Sequence, residues 1–153
     1  MKKIMASGTF DLLHPGHVNY LENAKKLGEK DSKLYVVVAR DSTVTKRKKI
    51  PIVDENQRLE MIKHLKPVDV ACLGHENKDI FKIVEEINPD IIAIGPDQTH
   101  NVEKLQKAID ERSLKAKVMR VKEYHKGALD STCKIIKKIK KSEFNDEILN
   151  NCE

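Results

Sequence analysis

The stretch that decides the fold opens with the apolar run Ile4-Met5-Ala6 and continues as Gly8-Thr9-Phe10-Asp11-Leu12-Leu13-His14-Pro15-Gly16-His17. An apolar run that does not alternate with polar residues is typical of a strand covered on both faces, as in a parallel sheet. Pro15 suits the first turn of a helix, because its missing N–H would have no intrahelical partner there. The stretch therefore predicts a strand, a glycine turn and a helix that runs to about Leu27.

The same alternation of strand and helix continues along the chain. Further apolar runs cover residues 34–39, 68–73, 91–95 and 118–121. Between them, apolar residues recur at helical spacing over residues 80–87 and 102–109, and Asp54 is a candidate N-cap for a helix over residues 55–65. This order predicts an α/β fold with a mostly parallel sheet. No repeat or Gly/Ser linker divides the chain, so we expect one domain over residues 1–141 and a polar C-terminal tail over residues 142–153.

Composition narrows the class of protein. The 153 residues include 29 Lys+Arg and 24 Asp+Glu, a net charge of +5, and no window approaches the roughly 18 apolar residues that cross a bilayer. Three widely spaced cysteines without a CxxC pair are expected to be reduced thiols, and the absence of a secretory pattern makes the cytoplasm the expected location. Three Phe, three Tyr and no Trp offer little surface for stacking bases. We therefore expect a small anionic partner, with no nucleic acid and no membrane.

The two histidines of the opening stretch are the main candidates for chemistry. His14 and His17 are three residues apart, which places them on one face at the start of the predicted helix. A helix N-terminus attracts anions, and ligands of parallel sheets bind beyond the carboxyl ends of the strands. The pair is thus suited to holding a phosphate during transfer, whereas zinc is disfavoured because no third ligand is near in sequence.

These residues resemble the GTFDxxHxGH signature of the cytidylyltransferase-like nucleotidyltransferases. The resemblance extends to about residue 141, and it implies a Rossmann-like fold with a parallel five-stranded sheet and helices on both faces. Residues 38–44, 55–58, 65–69, 89–92 and 95–98 are most similar to the archaeal branch that transfers the AMP moiety of ATP to FMN. The alternative within the family is cytidylyl transfer from CTP to glycerol 3-phosphate or a similar small phosphate.

The resemblance implies a role for each matching residue. His14 and His17 would be catalytic and would stabilise the attacked α-phosphoryl group. The residues implied in ATP binding are Thr9, Phe10, His14, Pro15, Gly16, His17, Asp97, Tyr124, Ser131 and Thr132. Those implied in phosphate or substrate binding are Asp11, Asp41, Lys46, Arg58 and Lys126. A divalent ion such as Mg²⁺ would neutralise the triphosphate, and similar enzymes are commonly dimers.

Several of these roles have alternatives that the sequence leaves open. Asp97 binds a ribose or base, or else it caps the next helix. Asp11 either holds its turn through backbone N–H groups or helps to bind the metal. Tyr124 either contacts the nucleotide or belongs to the rim of the core, and Cys133, beside Ser131 and Thr132, either faces the nucleotide or, as we favour, packs as a small apolar residue.

The basic segment over residues 45–49 is predicted to be a loop at the same sheet edge as His14, where phosphates need neutralising. Arg58 is expected to form a fork onto phosphate. Lys126 stands where the family's second signature has arginine, and it keeps the charge without the bidentate geometry. Two rival classes are a nucleotide-binding regulator without catalysis, which the intact histidine pair disfavours, and a basic RNA-binding protein, which the few aromatics disfavour.

Overall fold

The computed structural model describes residues 1–76, 79–122 and 127–152. Its described part contains a five-stranded sheet in the order β3-β2-β1-β4-β5, in which every pairing is parallel. The strands are β1 (Lys2–Gly8), β2 (Ser32–Val38), β3 (Val70–Leu73), β4 (Ile91–Ile94) and β5 (Lys117–Arg120). The predicted α/β fold with a parallel five-stranded sheet is confirmed.

Helices alternate with these strands. They are α1 (Pro15–Lys26), α2 (Asp41–Lys46), α3 (Glu55–Lys63), α4 (Lys82–Ile87), α5 (Val102–Glu111), α6 (Thr132–Lys141) and α7 (Asp146–Asn150). Strand β1 lies between β2 and β4, so the chain reverses its direction of travel across the sheet at β1. A ligand crevice is expected at the carboxyl end of such a strand.

The core has one layer on each face of the sheet. On one face, Ile4 and Ala6 of β1 belong to a cluster with Leu21 of α1 and Ile62 of α3. On the other face, Met5 clusters with residues of α4 and α5. Successive side chains of a strand point to opposite faces, and both faces of β1 are apolar. Burial on both sides explains why the strand sequences read as continuous apolar runs rather than alternating ones.

The structure confirms the predicted helix cap at Asp54 and corrects part of the predicted basic loop. The Asp54 carboxylate accepts hydrogen bonds from the backbone N–H groups of Asn56 and Gln57, as expected of an N-cap. The prediction of a loop over residues 45–49 is wrong for the first two residues, which end helix α2. The expected polar tail contains the short helix α7, whose residues are all exposed.

No helix in the described ranges combines the length and apolar character that crossing a membrane requires.

Candidate active site

A cavity of about 490 Å³ opens at the carboxyl end of β1. Its walls come from the turn after β1 and α1, from α2 and the segment that follows it, from the loop after β4, and from the start of α6. The lining residues are Gly8, Thr9, Phe10, Asp11, His14, Gly16, His17, Tyr20, Val44, Lys49, Ile50, Gly95, Pro96, Asp97, Gln98, Asp130, Ser131, Thr132, Cys133 and Ile136. The cavity lies where the strand order reverses, as the topology requires.

The two imidazoles lie together at the start of α1. His14 is the N-cap of this helix, and its Nδ1 accepts a hydrogen bond of 3.0 Å from the backbone N–H of Gly16. In the neutral ring the proton is therefore on Nε2, which is left as a donor. The His17 ring stacks on the His14 ring with 3.8 Å between centroids. Both side chains line the cavity, beside the free N–H groups of a helix N-terminus.

Burial favours the neutral form of both rings by lowering the pKa of each. It lowers the pKa of His17 to about 3, with a smaller contribution from the neighbouring His14. It also lowers the pKa of His14, against an opposing effect of the Asp130 carboxylate. Nδ1 of His17 is buried and finds no hydrogen-bond partner among the described residues. A negative charge bound beside the pair would therefore raise the pKa of both rings and favour their protonated form.

Phe10 forms the floor beneath these rings. It is only 2 % exposed, and its ring stacks on Tyr20 and meets His17 edge-on at 5.4 Å. Its φ of 53° lies in the left-handed region, a strained conformation for a bulky residue. A Cβ at Gly8 would come within 3.0 Å of the Phe10 ring, so glycine is needed there for close packing. The turn after β1 is therefore shaped by packing as well as by chain reversal.

Asp11 holds a neighbouring loop. Its two carboxylate oxygens accept hydrogen bonds of 2.9 Å each from the backbone N–H groups of Ile52 and Val53. Of the two roles left open by the sequence, this geometry fits the binding of backbone N–H groups. The groups belong to the segment before α3, however, and not to the turn of Asp11 itself.

Arg58 does not occupy the position that phosphate binding requires. Its side chain is buried, and it donates to the carbonyl oxygens of Thr9, Ala39 and Val53 and to the Asp41 carboxylate at 2.7 Å. The expected fork onto phosphate is replaced by a fork onto protein groups that join the ends of β1 and β2. Asp41 is likewise engaged, since its other oxygen accepts from the Glu55 N–H. Both residues brace the site from outside the cavity.

The loop after β4 is braced by two side chains that were not singled out from the sequence. The Gln98 amide accepts from the Gly95 N–H and donates to the Ser7 carbonyl, at 2.8 Å in each case. Arg120 donates to the carbonyl oxygens of Gly95, Gln98 and His100. Asp97 lies on this loop, is exposed and lines the cavity. Its alternative role as a helix cap is wrong, because Asn101 caps α5.

The start of α6 forms another wall of the cavity. Ser131 is its N-cap and accepts from the Lys134 N–H at 3.2 Å. The Thr132 hydroxyl donates to the Leu12 carbonyl and ties the helix to the segment before His14. Cys133 is exposed and lines the cavity, so the favoured apolar packing of this thiol is wrong.

The remaining predicted residues divide into three groups. Pro15 is exposed and lies outside the cavity lining, although it begins α1 as expected. Lys46 ends α2 away from the cavity, whereas Lys49 of the same basic segment lines it. Tyr124 and Lys126 lie outside the described residues. No local signal marks Arg120, whose partners are 20 to 25 positions away in sequence.

Fold and site together define a nucleotide-handling α/β protein, and comparison with known proteins identifies its family. The family model described as "Cytidylyltransferase-like" matches residues 5–138, and this chain belongs to that family. It is 69 % identical to a protein named FAD synthase from Methanobrevibacter smithii, over the whole of both chains. It is 55 % identical to the FAD synthase of Methanothermobacter thermautotrophicus, over 99 % of this chain and the whole of the relative.

A solved structure shares the fold. The lipopolysaccharide core biosynthesis protein from Thermoplasma volcanium is 49 % identical in sequence and superposes with a TM-score of 0.77, covering 82 % of this chain and 99 % of its own.

Proposed function

We propose that this chain is an FAD synthase, which transfers the AMP moiety of ATP to FMN and yields FAD and pyrophosphate. The observation that carries the proposal is full-length identity of 69 % to a protein of that name, in a chain with two stacked imidazoles at a helix N-terminus. An oxygen of the FMN phosphate attacks the α-phosphorus of ATP while the bond to the β-phosphate oxygen breaks. Pyrophosphate leaves with that electron pair.

Positioning and electrostatics supply the catalysis in this proposal. A phosphate monoester is already an anionic nucleophile, so no general base is needed. His14 donates from Nε2 because Nδ1 accepts the Gly16 N–H. His17 offers a buried Nδ1 that has no partner among the described residues, and the charge of the triphosphate would raise the low pKa of this ring. Donors that lie ready in a buried site stabilise the charge that grows on the α-phosphoryl oxygens.

The phosphates and the nucleoside have separate candidate contacts. The β and γ phosphates bind at the start of α6, where Ser131 and Thr132 stand beside free N–H groups. Asp97 accepts hydrogen bonds from the ribose or the base. Tyr124 and Lys126 remain predictions for the same nucleotide.

A divalent cation fits this arrangement as a partner of the nucleotide. The described residues contain no cluster of three or more metal-binding side chains, and Asp11 has both oxygens engaged. Mg²⁺ is commonly held by substrate phosphates with only one or two carboxylates, so a site built mainly by the triphosphate fits this cavity. Such an ion would neutralise charge on the triphosphate. The proposal also includes the expected homodimer, which rests on the resemblance.

The experiment is an assay of two donors against two acceptors. ATP or CTP is incubated with FMN or glycerol 3-phosphate in Mg²⁺, and the products are separated by chromatography. FAD is expected only from ATP with FMN. His14→Asn should lower turnover at least a hundredfold, with a smaller effect on ATP binding. Fast pyrophosphate release from CTP with glycerol 3-phosphate and none from ATP with FMN would show that the proposal is wrong.

A further inference from the structure

One wall of the cavity has no role in the nucleotide site as proposed. The nucleotide contacts come from the turn after β1, the loop after β4 and the start of α6. Helix α2 supplies Val44 to the remaining wall, and the segment after α2 supplies Lys49 and Ile50. This segment follows β2, on the opposite side of β1 from β4 and β5. In an in-line transfer the attacking and leaving oxygens lie on opposite sides of the phosphorus, so this wall faces the expected direction of attack.

Two side chains of this wall, Lys49 and Ile50, are exposed to solvent although they line the cavity. Ile50 lines the cavity with 86 % of its surface exposed, and the adjacent Lys49 is also exposed. Burying such an aliphatic side chain is worth roughly a tenfold or greater gain in affinity for an apolar ligand. Beneath them Val44 is buried, which gives the wall an apolar base.

The wall is held in place rather than left free. Asp11 accepts the N–H groups of Ile52 and Val53, and the Arg58 guanidinium donates to the Val53 carbonyl at 2.9 Å. These bonds anchor the loop two and three residues beyond Ile50. At the other end Lys49 donates its N–H to the Val44 carbonyl. A surface that is already ordered loses less conformational entropy when a ligand binds to it.

An acceptor with both a phosphate and a broad apolar ring matches this wall. The aromatic residues that line the described cavity offer no open ring face, since Phe10 and Tyr20 are buried and the Tyr20 hydroxyl donates to Ala93. We infer that Lys49 and Ile50 form the acceptor subsite, in which Ile50 packs against the isoalloxazine of FMN and Lys49 pairs with its phosphate. The inference rests on the proposed function and adds the residues that select a flavin.

The test compares Ile50→Ser with Ile52→Ser. Ile52 is 59 % exposed on the same loop but does not line the cavity, so it controls for a general change in the loop. FMN binding is measured by quenching of flavin fluorescence, and KM is measured for FMN and for ATP. Ile50→Ser should weaken FMN binding about tenfold and raise KM for FMN, with KM for ATP within twofold of wild type. Ile52→Ser should leave all three within twofold.

A ring-free competitor separates the two side chains. Ribitol 5-phosphate carries the phosphate of FMN without the isoalloxazine, so its inhibition constant should rise in Lys49→Gln and stay unchanged in Ile50→Ser. Urea unfolding of the Ile50 variant should match wild type, since the side chain is exposed.

Two failures are distinguishable. If wild type makes FAD while Ile50→Ser binds FMN within twofold of wild type, or raises KM for ATP as much as KM for FMN, the subsite is wrong and the proposed function stands. If wild type makes no FAD from ATP and FMN, the proposed function is wrong and the subsite with it.

Discussion

At the scale of single residues, the neutral state of His17 couples the stability of the fold to pH. Its pKa is about 3 in the folded chain, against about 6.5 when exposed. Between these values the unfolded chain binds a proton that the folded chain does not, so stability falls as pH drops below about 6.5. One such group contributes at most about 1.4 kcal/mol per pH unit.

The slope is measurable by urea unfolding at pH 7.5, 6.0 and 5.0. His17→Asn should lose stability less steeply with acid than wild type, while His14 and His100, whose pKa values are also lowered, keep a residual slope in both proteins. Parallel curves for the two proteins would contradict the assignment of the slope to His17.

Arg58 gives a prediction about stability rather than substrate binding. Its buried guanidinium serves three carbonyl groups and the Asp41 carboxylate. Arg58→Met removes this buried donor from the carbonyl groups and from the partly exposed Asp41, and leaving buried acceptors unsatisfied costs about 1–3 kcal/mol. The exposed Arg47→Met is the matched control and should change the free energy of unfolding by less than about 0.5 kcal/mol. A loss below about 1 kcal/mol in Arg58→Met, measured in urea, would contradict this role.

These residues show why sequence predicts some side chains and misses others. The Asp54 cap and the proximity of His14 and His17 follow from partners two or three positions away, which helical geometry determines. Arg58 meets Thr9 across 49 positions, and Asp11 meets Val53 across 42. Such contacts depend on how strands are ordered in the sheet, so a phosphate-binding arginine and a structural one have the same sequence pattern.

At the scale of elements, the loop after β4 depends on Arg120 at the end of β5. Its guanidinium bonds three carbonyl groups of this loop, which carries Asp97 into the cavity. Arg120→Gln should raise KM for ATP at least tenfold, because the loop loses its geometry before the nucleotide binds. Lysine cannot reproduce the fork, so Arg120→Lys should rescue little.

Arg112→Gln is the control for this prediction. Arg112 makes surface ion pairs with Asp79 and Glu85 and stacks on Phe81, away from the cavity lining. Its removal should leave KM for ATP unchanged. Equal values of KM for the Arg120 and Arg112 variants would show that the loop does not need the clamp.

A strand with an uninterrupted apolar run could be predicted from the sequence, whereas a short helix with one buried side chain could not. The apolar run over residues 34–39 corresponds to β2, because burial on both faces leaves no polar alternation to confuse the pattern. Helix α2 was missed because its six residues contain one buried side chain, Val44, and so show no helical period. Its lysine-rich end has the composition of a loop.

At the scale of the whole molecule, the excess positive charge and the candidate site lie largely in different parts of the structure. Much of the basic excess lies on α6, where all the lysines are exposed and none of the residues is buried. The cavity instead brings together residues from four separate segments at the end of β1, with Lys49 at its wall. The sheet order, rather than net charge, therefore creates the binding site, and the surplus of +5 mainly describes the outer surface.

The tail over residues 142–153 is expected to contribute little to stability or activity. Every residue of α7 is exposed, and its capping bonds are made within the tail itself. A chain ending at Ser142 should unfold in urea within about 0.5 kcal/mol of wild type and make FAD at the same rate. A chain ending at Gly127 is the contrast, because it loses Ser131, Thr132 and the rest of the α6 wall, and it should not bind ATP. Binding is measured by calorimetry for both chains. A threefold or greater loss of turnover in the longer chain would show that α7 belongs to the working domain.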